Sequence, residues 1–167
     1  MFSLAACGGN KSDAPAGDKK VAEGDPAAAP AKLAYKKLGT LPLEAEVPDG
    51  ANIDDTTKGA GYPSATVYAS PTTFINGAGD MSDQKPTIEA TKEHLVKQEK
   101  SLKDTRQDKT ADGWIIEMTG ESMGSPTIAV SVRRTIDGKP WDCSSNVNNK
   151  EEVAKLEKLC QSLRAAK

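Results

Sequence analysis

Apolar and polar side chains first alternate regularly at Leu41, Leu43, Ala45 and Val47, which interleave with Glu44 and Glu46. A period of two predicts a strand with one wet face, and Pro48-Asp49-Gly50 ends it. Ala65 to Ala69 and Thr72 to Ile75 give one or two further strands, with Pro71 between them. From Pro86-Thr87 the period lengthens and predicts a helix to about Leu102, with Ile88, Leu95 and Leu102 on one stripe and Val96 at its edge. Glu89 and Glu93 come early in it and Lys97, Lys100 and Lys103 late, an order that complements the helix dipole. Trp114, Ile116 and Met118 define another strand, and Ile128, Val130 and Val132 the next. Asp137-Gly138 predicts a tight hairpin into a strand carrying Trp141 and Cys143 on one side. Asn149 to Glu152 has the form of a capping box and opens a helix in which Val153, Leu156, Leu159, Cys160 and Leu163 share a face.

These elements sum to an α+β domain over residues 38–167, an antiparallel sheet of about five to six strands with two α-helices packed on it. Their order resembles the PsbP/Mog1-type fold in topology over Leu38 to Ala165, a likeness of fold that transfers no function. Upstream, Gly8 to Lys37 is Ala, Pro, Gly, Lys and Asp with almost no large apolar residue. Such a segment cannot bury enough surface to offset the entropy of ordering. It is expected to be a disordered tether whose ends lie on the order of 30 Å apart.

Ahead of the tether stand Leu4, Ala5, Ala6 and Cys7, followed by Gly8 and Gly9. An aliphatic residue, two small residues and a cysteine resemble the lipobox of bacterial lipoproteins, in which a peptidase closes around the small residues and the cysteine becomes the lipidated N-terminus. The resemblance implies acyl chains on Cys7, a membrane anchor, and a place in the bacterial cell envelope. Gly8 after the cysteine is compatible with outer-membrane rather than inner-membrane sorting. Residues 1–6 then read as the remnant of a signal peptide whose basic and apolar parts belong upstream, and residues 7–37 as the lipidated cysteine with its linker. Several acyl chains make such an attachment lasting, because each buried methylene contributes about 0.8 kcal/mol.

Length and charge narrow the partners. The chain has 167 residues and a formal charge of −2, and without the tail about 130 residues remain, one domain of ordinary size. Hydrophobic residues make up 37% and aromatic ones 4%, a small core diluted by a polar tail. Between Cys7 and Lys37 six lysines outweigh four acidic residues, which leaves −4 on the remainder. Nucleic acid is not expected, since it demands a clustered basic footprint. With Cys7 taken by lipid, Cys143 and Cys160 form an even pair in an oxidising compartment, and both point to the interior. A bridge would close a loop of about 18 residues and contribute about 3 kcal/mol. Two buried free thiols or a redox pair are the rival readings, the latter disfavoured by a spacing unlike Cys-x-x-Cys.

Candidate chemistry is sparse. His94 is the single histidine and lies off the apolar stripe, beside Glu93, with no Gly-x-Ser-x-Gly turn to serve. Asp49, Asn52, Asp54 and Asp55 crowd one loop and Asp80 and Asp83 another, without calcium-loop spacing. Neither a metal nor another cofactor is expected. Gly59-Ala60-Gly61 with Tyr62, and Gly77-Ala78-Gly79 with Met81, are possible binding loops. Arg133, Arg134 and Lys139 make a small basic strip that could meet anionic headgroups or a carboxylate-bearing partner. The expectation is a non-catalytic envelope lipoprotein that binds a protein partner or supports an assembly. An envelope hydrolase or a small-ligand-binding protein is the alternative.

Overall fold

The structure is a computed structural model and describes residues 32–78 and 87–167. Its elements in chain order are β1 (Leu33–Lys37), β2 (Leu43–Pro48), β3 (Asn52–Asp55), α1 (Thr57–Ala60), β4 (Ser64–Tyr68), β5 (Thr73–Gly77), α2 (Ile88–Gln98), β6 (Lys103–Thr110), β7 (Gly113–Ser122), β8 (Ser125–Ile136), β9 (Lys139–Val147), α3 (Lys150–Ser162) and β10 (Arg164–Ala165). The class is mixed and mostly β. The strand count corrects the expectation: ten strands among the described residues lie in two antiparallel sheets, with three helices. The large sheet has the order β3-β4-β5-β9-β8-β7-β6, and a small one the order β1-β2-β10.

The added strands lack an apolar alternation of their own. β6, Lys-Asp-Thr-Arg-Gln-Asp-Lys-Thr, is an outer strand whose charges guard an otherwise open ladder. β3 is Asn-Ile-Asp-Asp, so three of the residues expected to crowd a loop, Asn52, Asp54 and Asp55, belong to a strand paired with β4. β1 occupies Leu33–Lys37, inside the expected linker, and pairs with β2 from Leu33↔Pro48 to Lys37↔Glu44. The folded part therefore begins upstream of Leu38. The rest of the tether, through Ala31, lies outside the described residues.

Each face of the large sheet carries a core. On one, Ile75, Cys143, Val132 and Ile115 are successive cross-strand partners, one row across four strands. The row packs with Leu156, Leu159 and Cys160 of α3 and with Leu43, Ala45 and Val47 of the small sheet in one core. On the other face Trp114, Ile116 and Met118 meet Ile88, with Leu95 and Val96 of α2 packed against them. The apolar run Trp114-Ile115-Ile116 serves both cores at once. Helix α2 stops at Gln98, short of the expected end, and Leu102 still reaches the second core from the turn that leads into β6.

Helix α3 starts as its sequence predicts. The Asn149 side chain accepts a hydrogen bond from the Glu152 N–H at 2.9 Å, and Glu152 reaches back to the Asn148 N–H at 3.1 Å. Such a cap contributes about 1 kcal/mol. Lys150 of the first turn pairs with Glu117, a carboxylate from β7 that is 2% exposed beneath the helix. A disulfide joins Cys143 to Cys160 with Cα atoms 5.7 Å apart. It fastens α3 to the middle strands of the large sheet, with both cysteines fully buried.

Candidate functional site

The residues singled out by sequence do not converge on one place. Cys7 and Met81 lie outside the described residues, as do Asp80 and Asp83. Tyr62 follows α1 directly, where Gly61 closes the helix in a left-handed conformation (φ 76°). Tyr62 is half-buried, whereas Tyr68 and Phe74 face solvent.

The expected basic strip is largely dismantled. Arg133 is not exposed: its side chain is 5% accessible, and it clasps Asp142 on the neighbouring strand. The guanidinium also stacks over the Trp114 ring, 4.9 Å from its centroid. The reason is strand geometry. Trp114, Arg133, Asp142 and Asn76 are successive cross-strand partners on the α2 side of the sheet, so Arg133 points into a covered layer. The Ser64 hydroxyl continues this polar row by donating to Asn76 Oδ1 at 2.8 Å. Asp142 meets its charge and burial leaves its remaining Nη1 without a partner, so Arg133 presents nothing at the surface to a headgroup or an outside carboxylate. Arg134 points to the other side and closes the C-terminal end of α3, donating to the carbonyls of Gln161 and Leu163 and to Asp112 at 2.7 Å. Burial alone would raise the Asp112 carboxyl, but the bond and charge of Arg134 outweigh it and hold the group below its usual range. Lys139 is the one member of the strip that stays exposed.

One acidic residue of β3, Asp55, ties the two sheets together. The Asp55 carboxylate accepts from the hydroxyl and N–H of Thr40, in the turn between β1 and β2, and from the Thr57 N–H at 3.0 Å. Thr40 first, then Thr57, keep this carboxyl well below the usual carboxylate range. Gly39, at φ 59°, lets the turn approach Asp55 closely, because a side chain there would run into the Asp55 Cβ. Among the described residues no group of three or more His, Cys, Asp or Glu is placed to hold a metal ion. His94 is partly exposed on α2, and the Gln98 amide lies 2.8 Å from its Nε2, one helical turn away.

Three surface features escaped the sequence reading. A polar groove of about 390 Å³ lies where β9 runs past the end of its ladder with β5, between Ser70, Pro71, Phe74, Asn146 and Glu152. An apolar pocket of about 310 Å³ is lined by Pro42, Pro63, Gly77, Ala78, Lys139, Pro140 and Trp141 at the Asp137-Gly138 end of the sheet. At the opposite end, between β7 and β8, Met123 is fully exposed at the tip of the hairpin. The tip had a legible signal: Gly124 follows Met123 between two apolar runs, as Gly138 follows Asp137. No protein-family model matches the chain, and no curated protein matches it.

Proposed function

We propose that this chain is a non-catalytic lipoprotein of the bacterial envelope, held to a membrane through acyl chains on Cys7, whose α+β domain binds a protein partner or supports an assembly. The observation that carries the reading is the buried Cys143–Cys160 bridge. Disulfides persist in oxidising compartments such as the periplasm and the cell surface, where a lipobox cysteine would deliver the domain. No helix among the described residues is long and apolar enough to cross a membrane.

The binding role is supported by where the exposed apolar groups fall. Met123, Tyr68 and Phe74 are presented on strands and a hairpin of a sheet that carries a core on each face, a rigid display suited to contact rather than to chemistry. The hydrolase alternative needs a base positioned against a nucleophile, and His94 is paired with an amide.

Replacing Cys7 by Ser in the native host tests the anchor. The variant is expected to leave the membrane fraction, and mass spectrometry of the parent protein to show an acylated N-terminal cysteine. An unmodified Cys7, or a variant that still sediments with membranes, overturns the proposal.

A further inference from the structure

We propose that the β7–β8 tip is a knob that docks into the apolar pocket at the far end of the large sheet on a second copy of this chain, with Met123 in the pocket and Glu121 facing Lys139. The inference deepens the assembly role proposed above and takes only that role from it, since the contact needs neither Cys7 nor a membrane.

Two turns among the described residues share one form, and they differ in one respect. Met123-Gly124 and Asp137-Gly138 both place two residues at positive φ, 52° and 78° in the first and 50° and 75° in the second. Two-residue hairpin loops of this kind favour Asn, Asp or Gly at the first position, because a short polar side chain tolerates the left-handed conformation. Asp137 obeys the rule, whereas Met123 sets a long apolar side chain there and leaves it wholly in water. Strain and exposure at one residue, with a conforming turn in the same sheet for comparison, point to a function for the side chain.

The tip is also built to reach. The β6–β7 ladder ends at Lys103↔Thr119 and the β8–β9 ladder at Ile128↔Val147, whereas β7 and β8 go on pairing through Gly120↔Thr127, Glu121↔Pro126 and Ser122↔Ser125. Three such pairs extend about 10 Å beyond the neighbouring strands. The Ser101 hydroxyl braces the stalk, donating to the Glu121 carbonyl at 2.6 Å and accepting from its N–H at 2.8 Å.

The receiving surface is the pocket of about 310 Å³, walled by Pro42, Pro63, Ala78, Pro140 and Trp141. A flexible thioether side chain suits such an irregular apolar hollow. Its one charged lining residue is Lys139, and the one charged residue of the projecting tip is Glu121, both exposed and of opposite sign. Knob and pocket lie at opposite ends of β8, a strand of 12 residues, hence about 40 Å apart, so no chain can fill its own pocket. A lipid surface is the poorer occupant, because interfacial anchors are aromatic and basic and the knob is flanked by Glu121, Ser122, Ser125 and Pro126. Since the two surfaces differ, each contact leaves one free knob and one free pocket, and association runs head to tail.

Sedimentation velocity of the full chain over a concentration series, combined with zero-length carbodiimide cross-linking of mixed isotopically labelled and unlabelled protein, tests this. The parent chain is expected to grow past the dimer and to yield a Glu121–Lys139 isopeptide joining labelled to unlabelled chains. Met123→Asn, which suits the turn better, should melt no lower than the parent yet lose both the larger species and the cross-link. Lys139→Glu alone should behave in the same way, while an equal mixture of the two variants should form dimers and nothing larger. Cys7→Ser should associate like the parent even where it leaves the membrane, which separates this contact from the anchor. A parent chain that stays monomeric throughout, a Met123→Asn chain that associates unchanged, or a knob that engages only a different protein overturns the proposal.

Discussion

Arg133 and Asp142 face each other across β8 and β9 and meet through two parallel hydrogen bonds, Nε to Oδ1 and Nη2 to Oδ2, each 2.6 Å long. Both side chains are at least nine-tenths buried, so the pair has left water together and neither charge can stand alone. Asp142→Ala is expected to destabilise the domain by about 3–5 kcal/mol in urea titrations, because the guanidinium would remain in the covered layer without its partner. The double replacement Arg133→Met with Asp142→Leu should recover most of that loss. A single variant as stable as the parent would show that the layer opens to water.

Acid should loosen the joint between the sheets. The Asp55 carboxyl sits below its ordinary range in the folded state, chiefly through Thr40 and then Thr57. A depressed native pKa contributes stability that is fully present above the unfolded value and is lost as pH falls toward the folded one. The melting temperature of the parent should therefore decline below about pH 4 more steeply than that of Asp55→Asn, whose amide does not titrate. Parallel curves for the two chains would remove Asp55 from the joint.

Two glycines should respond in opposite directions to the same substitution. A Cβ on Gly113 would run into the carbonyl of Arg133 on the facing strand, whereas one on Gly59, in α1, would meet open space. Gly113→Ala should cost about 1–3 kcal/mol by overpacking, and Gly59→Ala should add about 0.4–1 kcal/mol by restricting the unfolded chain. Denaturant midpoints of the two variants decide the matter.

Opening the Cys143–Cys160 bridge by replacing both residues with Ala should cost about 3 kcal/mol, the loop-closure entropy of a 17-residue separation. Hydrogen exchange should speed first in α3, which the bridge holds to β9. Unchanged exchange there would mean that the packing of Leu156 and Leu159 suffices.

What could be read from the chain followed the strength of its periodicity. β8, α3 and the Asp137-Gly138 turn carry apolar alternation, a helical stripe or a glycine in a demanding position and stand where the pattern puts them, and β2 does so from Leu43, two residues after the alternation begins. β6 has no apolar residue and β3 only Ile53, since outer strands can be polar on both faces, and nothing local separates such a strand from a loop. Arg133 misled for a related reason. Beside Arg134 it looks like the solvated end of a strand, and its burial depends on Asp142 and Trp114, partners supplied by other strands. The pocket beside Trp141 draws its walls from four separate parts of the chain, so no window of sequence contains it.

The strand that any upstream tether would feed is β1, which lies at the rim of the small sheet and is hydrogen-bonded to β2 alone. Traction applied to the chain ahead of Lys32 would load the bond from the Asp49 N–H to the Lys32 carbonyl first and then peel the five pairs from Leu33↔Pro48 onward, in the manner of a zip. The bridge and both cores lie beyond that rim, so β1 would yield like a mechanical fuse and leave the domain behind it intact.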